Sequence, residues 1–276
     1  NHAQGWPYFT EHLVLATPDN GVATAIYAAC KATVKVGDGK EITLHEETNY
    51  PFEEAIAFTV STGEKVAFPF YLRIPSWTQK AEVRVNGKKV SAAPVAGKYL
   101  CINREWANGD RVELTLPMSL SMRTWQVNKN SVSVDYGPLT LSLKIAEKYV
   151  EKDSRETAIG DSKWQKGADS KKWPTTEIYP DSPWNYSLVL DKKEPLKNFK
   201  VIRKSWPADN YPFTATSVPL EVKAIGRPVP EWKIDETGLC GVLPEEDAVK
   251  GDKEEITLIP MGAARLRISA FPNTKE

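Results

Sequence analysis

The sequence is poor in the residues from which metal sites and disulfide frameworks are made. Among 276 residues there are three cysteines and three histidines. Cys30, Cys101 and Cys240 are far apart, odd in number and without C-x-x-C spacing, which excludes a disulfide scaffold or a structural zinc site. Their apolar neighbours predict buried, inert thiols. His2, His12 and His45 stand alone, with no H-x-H or H-E-x-x-H spacing, so no metal is expected in this chain. Charge of one sign is lacking too: 36 basic residues face 36 acidic ones, leaving no global field to draw a nucleic acid or an anionic membrane. No apolar run approaches the roughly 18 residues needed to span a bilayer, and no 20–50-residue repeat is visible. The opening has no basic segment followed by an apolar one, as a signal peptide would. Asn1 leads within a few residues into Gly5-Trp6-Pro7, which reads as a piece of something longer.

What is present suits a globular protein of two domains, with 41% hydrophobic and 26% charged residues. The organising stretch is Val66 to Trp77, V-A-F-P-F-Y-L-R-I-P-S-W. Phe68, Phe70, Leu72 and Ile74 fall on one side at period 2 and predict a strand facing a second layer. Pro69 cannot donate to a ladder, so the strand is expected to begin at a sheet edge or a bulge. Arg73 should lay its stem on apolar surface and its head on a carboxylate or carbonyl.

Around that strand the pattern is almost wholly β. Residues 5–17 read as one helix, with Trp6, Phe9 and Leu13 at helical spacing. Strands follow at close intervals through residue 116, about nine of them, separated by turn residues in the manner of a sandwich. Asn86-Gly87 is the strongest hairpin signal among them. A second unit starts near Leu120. Residues 147–181, rich in Lys, Asp, Ser and Trp, read as a long loop. Strand character resumes from Tyr186 and ends with two strands over residues 255–260 and 264–271.

Several motifs occur together in order: Gly5-Trp6-Pro7, Glu47-Thr-Asn-Tyr-Pro-Phe52, Phe68-Pro-Phe-Tyr-Leu-Arg-Ile-Pro-Ser-Trp77, Val85-Asn-Gly87, Arg104-Glu-Trp106, Leu116-Pro-Met118, Tyr136-Gly-Pro-Leu139 and Leu258-Ile-Pro260. The series resembles the non-catalytic C-terminal half of glycoside hydrolase family 127, the β-L-arabinofuranosidase-like family once called domain of unknown function 1680. The resemblance implies an all-β chain of two β-sandwich domains, the second inserted in the first. A short N-terminal helix over residues 1–20 would be left over from an absent (α/α)6 barrel. Residues 21–118 plus 254–272 would form the first sandwich and 119–253 the second. The family's chemistry, by the same resemblance, is retaining hydrolysis by a metal-bound cysteine with a glutamate acid/base. Zinc and the nucleophile are therefore expected in the missing catalytic domain, and no residue of this chain takes a catalytic role. Asn1 and Gln4 would lie near the pocket of the intact enzyme. The implied partner is the chain's own N-terminal barrel, with a homo-oligomer a further candidate. Periplasmic or extracellular placement is favoured over cytoplasmic, and the compartment is otherwise undetermined.

Two features tempt a different reading. Glu46-Glu47 and Glu53-Glu54 suggest paired carboxylates, but neighbours on a strand point to opposite faces. Trp164, Trp173 and Trp184 lie in the irregular polar region, where exposed indoles can stack on sugar faces, so they are the candidate carbohydrate contacts. Trp6, Trp77, Trp106 and Trp125 read instead as core or domain-interface packing. A free-standing carbohydrate-binding or surface-interaction module is the alternative function.

Overall fold

The computed structural model describes residues 2–154, 169, 171–245 and 248–275. It divides into two compact units. Unit 1 comprises Asn1–Leu120 with Tyr136–Leu139, and unit 2 comprises Ser121–Asp135 with Thr140–Glu276.

In unit 1 a helix, α1 (Gly5–Glu11), precedes ten strands. These are β1 (Val14–Ala16), β2 (Val22–Thr24), β3 (Cys30–Val36), β4 (Lys40–Thr48), β5 (Ala55–Thr62), β6 (Val66–Arg73), β7 (Glu82–Val85), β8 (Lys88–Lys89), β9 (Tyr99–Trp106) and β10 (Arg111–Thr115). They form a four-stranded sheet, β1-β2-β6-β9, and a six-stranded sheet, β3-β4-β5-β10-β7-β8. Alternation sends Ile42, Leu44, Ile56, Phe58, Val60, Val112 and Leu114 from the larger sheet into the core. Phe68, Phe70 and Leu72 of β6 come from the smaller one. Phe58 and Phe70 meet edge to face across the layers, 5.4 Å between centroids, so the unit is a two-layer sandwich. The helix expected over residues 5–17 ends at Glu11, and β1 joins the sheet instead. Val14 there pairs with Thr24.

The expectation for Pro69 holds on one side of the strand, since β6 opens at an edge towards β2 and is paired throughout towards β9. The pairing with β9 runs in unbroken register from Val66↔Trp106 to Arg73↔Tyr99. Proline is accommodated because the parallel neighbour β2 begins only opposite Phe70. Gly21 passes beside the ring there: a Cβ on it would come within 2.3 Å of the Pro69 carbonyl oxygen. A glycine thus fits where a missing N–H leaves nothing to pair.

The Asn86-Gly87 turn closes the β7–β8 hairpin with both residues at positive φ, 50° and 76°, as a type I′ turn requires. Its anchor is Asp110. The carboxylate accepts from the Asn86 amide (2.7 Å) and the Ala107 N–H (3.0 Å) and faces the Arg104 guanidinium (3.3 Å). Burial acts to raise the Asp110 pKa, but the Ala107 N–H, the Asn86 amide and Arg104 outweigh it and hold the group below its ordinary value. Its stabilisation is therefore complete above the unfolded carboxylate pKa and is lost as pH falls through the lower folded value. Asp110→Ala is expected to remove about 2–3 kcal/mol at pH 7. Urea denaturation checks this, and the deficit should shrink towards pH 3.

Unit 2 is built on β11 (Leu120–Trp125), β12 (Ser131–Tyr136), β13 (Leu139–Leu143), β14 (Glu147–Lys152), β15 (Thr175–Pro180), β16 (Tyr186–Leu190), β17 (Lys200–Arg203), β18 (Leu220–Pro228), β19 (Glu254–Pro260) and β20 (Asn273–Lys275). Eight of them make one sheet in the order β11-β12-β13-β19-β18-β16-β20, with β17 also against β18. The expected return of residues 254–272 to the first sandwich does not occur. Strand β19 lies between β13 and β18, through Leu141↔Pro260 and Val222↔Leu258, and so belongs to the second unit. An alternating segment shows that it is a strand but not which sheet receives it. Residues 264–271, expected as a strand, are mostly irregular, yet Ile268 and Phe271 accept backbone bonds from Leu143 and Val132. The segment read as a loop holds a two-stranded ribbon, β14 against β15, from Glu147↔Pro180 to Lys152↔Thr175. Arg123 ties β11 to its neighbours with a two-point contact to Asp135 (2.6 and 2.9 Å) and a third bond to Thr140.

Candidate functional site

Asn1 and Trp164 lie outside the described residues. Gln4 ends a short turn before α1 and is exposed. Trp173 is 65% exposed. Trp184 is half-buried and meets Trp232 edge-on at 5.1 Å. Gln4 belongs to unit 1, and Trp173 and Trp184 belong to unit 2. The other indoles divide as well. Trp106 is fully buried and Trp77 packs on the core, whereas Trp6 and Trp125 are exposed.

Helix α1 buries none of its residues. Trp6 and Tyr8 are 64% and 67% exposed, and Trp6 meets Phe9 edge-on at 6.1 Å. An aromatic face this open is unusual on a finished surface.

Two groups of charged residues in unit 1 could suggest chemistry. The first lines a trough of about 590 Å³ on the outer face of the six-stranded sheet. Cross-strand register puts Glu47, Ala57, Glu113 and Arg84 in one row, with Ala55, Thr115 and Glu82 in the next. The alanines leave the floor open. Arg111 bridges Glu47 (3.3 Å) and Glu113 (3.6 Å), while Arg84 and Lys89 both face Glu82. Glu54 accepts from the Met118 N–H at 2.9 Å. These carboxylates are therefore engaged in cross-strand pairs and a chain anchor, which is ordinary sheet chemistry.

The second group is buried. Glu46 follows Ile42 and Leu44 on the inward side of β4 and is 1% exposed. One carboxyl oxygen has no partner, and the other lies 3.9 Å from the Cys30 sulfur. Burial drives the Glu46 pKa up to about 8, against a weaker opposing bond from the Ala28 backbone and the Cys30 thiol. Burial, then the charge of Glu46, pushes the Cys30 thiol up to about 11. Burial likewise raises Tyr27, whose hydroxyl donates to the Arg73 carbonyl oxygen. The Arg73 guanidinium faces the Tyr27 ring at 5.9 Å, and its Nε finds no partner. The expected carboxylate or carbonyl under that arginine is replaced by an aromatic face. A protonated carboxyl and a protonated thiol at neutral pH are poor nucleophiles. The signal for Glu46 was available, since it continues the period-2 inward series. Cys101 and Cys240, expected inside, are exposed. On β9 the inward positions fall to Leu100 and Ile102, and Cys101 takes the outward one between them.

Among the described residues no three His, Cys, Asp or Glu side chains converge on a metal position. This donor set does not fit zinc.

The fold defines a class, an all-β protein whose first unit is a two-layer sandwich. Residues 21–118 match the family model described as β-L-arabinofuranosidase, GH127 middle domain. Among solved structures, a GH127 β-L-arabinofuranosidase from Geobacillus stearothermophilus T6 aligns over 96% of this chain at 20% identity, TM-score 0.62. A GH127 β-arabinofuranosidase aligns over 94% at 23% identity, TM-score 0.60. A protein described as a glycoside hydrolase aligns over 92% at 23% identity, TM-score 0.58. The chain spans about a third of their length, 35% to 36%. No curated protein matches it. Residues 21–118 are thus similar to the GH127 middle domain, and the chain as a whole shares its fold with these solved structures.

Proposed function

We propose that this chain is the non-catalytic accessory β region of a longer retaining glycosidase that releases L-arabinofuranose or a related sugar. The observation that carries the reading is the middle-domain match in a chain spanning about a third of the solved family members. The open aromatic pair of α1 supports it, because Trp6 and Phe9, three residues apart on one face, are what a helix offers to a helical neighbour. In this reading the neighbour is the catalytic barrel, which carries zinc and the cysteine nucleophile. The β region supports that barrel, and Gln4 lies towards the pocket rim. The parent protein acts on glycans outside the cytoplasm and associates with further copies of itself.

The test is turnover. The isolated chain is expected to release no p-nitrophenol from the p-nitrophenyl β-L-arabinofuranoside, while the barrel-containing protein does. Release by the isolated chain that disappears in Glu47→Gln or Glu53→Gln would overturn the proposal and make the sheet trough the active site.

A further inference from the structure

Unit 2 holds a cleft of about 360 Å³ whose lining is mainly apolar. Ile145, Ile178, Trp184, Ile234, Leu239 and Ile268 line it, with Cys240, Arg265 and Arg267 among them. Two of the apolar groups are held out into water. Ile234 is 44% exposed and Leu239 is 66% exposed.

They sit on a hairpin that is firmly built. Ile234 and Cys240 form an antiparallel bridge. The Asp235 carboxylate accepts from the Thr237 N–H, the Thr237 hydroxyl and the Leu239 N–H, while the Asp235 N–H donates to the Leu239 carbonyl oxygen. The Trp232 indole donates to the Gly241 carbonyl oxygen at 3.0 Å, and Trp232 packs against Trp184 in turn. So much hydrogen bonding around two exposed aliphatic side chains indicates a preformed apolar mouth.

The two arginines differ. Arg265 has an acid partner, Glu147, at 3.6 Å. Arg267 gives its Nε to the Ala264 carbonyl oxygen at 2.8 Å, and among the described residues no carboxylate pairs with it. One guanidinium edge is thus open beside an apolar cavity. A planar fork of that kind matches a carboxylate, and the lining offers few groups to satisfy the many hydroxyls of a sugar. In the sheet trough of unit 1, by contrast, Arg84 and Arg111 already face glutamates.

We infer that this cleft binds a small amphipathic carboxylate, its apolar body against Trp184, Ile234 and Leu239 and its anionic group on Arg267. The inference does not rest on the glycosidase reading. The cleft also carries its own reporter, the exposed thiol of Cys240.

The experiment uses the full chain with Cys101→Ser, which removes the other exposed thiol. The alkylation rate of Cys240 by N-ethylmaleimide is followed by mass spectrometry against 3-phenylpropionate, 3-phenylpropanamide and L-arabinose. Saturating 3-phenylpropionate is expected to slow alkylation at least fivefold, with the amide needing about tenfold higher concentration. Arg267→Gln should erase the difference between acid and amide while leaving amide protection intact. Leu239→Ser should weaken both about tenfold. Equal protection by acid and amide, protection by arabinose alone, no protection by either phenyl compound, or variants without effect would each overturn the inference.

Discussion

Trp106→Ala is expected to give the largest loss of stability of any single change in unit 1, about 4–6 kcal/mol. The indole is fully buried, stacks on Phe68 at 5.6 Å and meets Phe70 edge-on at 5.9 Å. Its removal leaves a cavity that Phe68 and Phe70 cannot easily fill, a loss of about 3–5 kcal/mol. It also strips the Phe68 carbonyl oxygen of its donor, now 3.0 Å away, for about 1–3 kcal/mol more where water does not enter. Trp106→Phe separates the two effects, since the ring mostly remains and the donor is lost. The alanine variant should melt far below the phenylalanine variant in urea, followed by circular dichroism. A deficit under 1 kcal/mol for Trp106→Ala would show that the core is looser than its ring contacts imply.

Glu46→Gln should change the pH dependence of unit 1 more than any other charge substitution. The folded pKa of about 8 lies above the ordinary glutamate value of 4.5. The folded state therefore holds its proton more tightly than the unfolded chain. Stability from this group is complete below pH 4.5, declines as pH rises and is lost once pH passes about 8. Glutamine keeps the size and never ionises. At pH 4 the variant should match the parent, and at pH 9 it should be more stable by about 4–5 kcal/mol. Denaturant midpoints at the two pH values decide it. Parallel curves for parent and variant would mean that water or a cation reaches the carboxylate.

Why some of this was legible before the structure and some was not is clearest in β4 and β19. Within a strand, period 2 assigns faces, so the split of Glu46 inward and Glu47 outward follows from Ile42 and Leu44 alone. The strands of unit 1 were readable because turn residues separate them, and Asn86-Gly87 fixes β7 and β8 as neighbours. Periodicity does not say which distant strand will be a partner, and β19 went to β13 and β18 against expectation. The ribbon in residues 147–180 escaped notice because neither face is buried, its residues being half-buried or exposed, and so it shows no apolar alternation. The cleft was hidden for a related reason. Trp184, Leu239 and Arg267 come from three separate segments, and only the folded chain brings them together. Cys101 shows the limit of reading neighbours along the chain, since the apolar Leu100 and Ile102 beside it on β9 put the residue between them outside.

The parallel pairing of β16 with β20 sets an order on events during synthesis. Leu188 must wait for Asn273 before that side of β16 is covered. At ordinary ribosomal speeds the interval is on the order of ten seconds. Throughout it, the row of backbone groups on β16 is open to any other chain with an extended segment. The nascent protein is thus exposed to misassembly until residues 273–275 emerge, and β20 acts as a latch that ends the exposure.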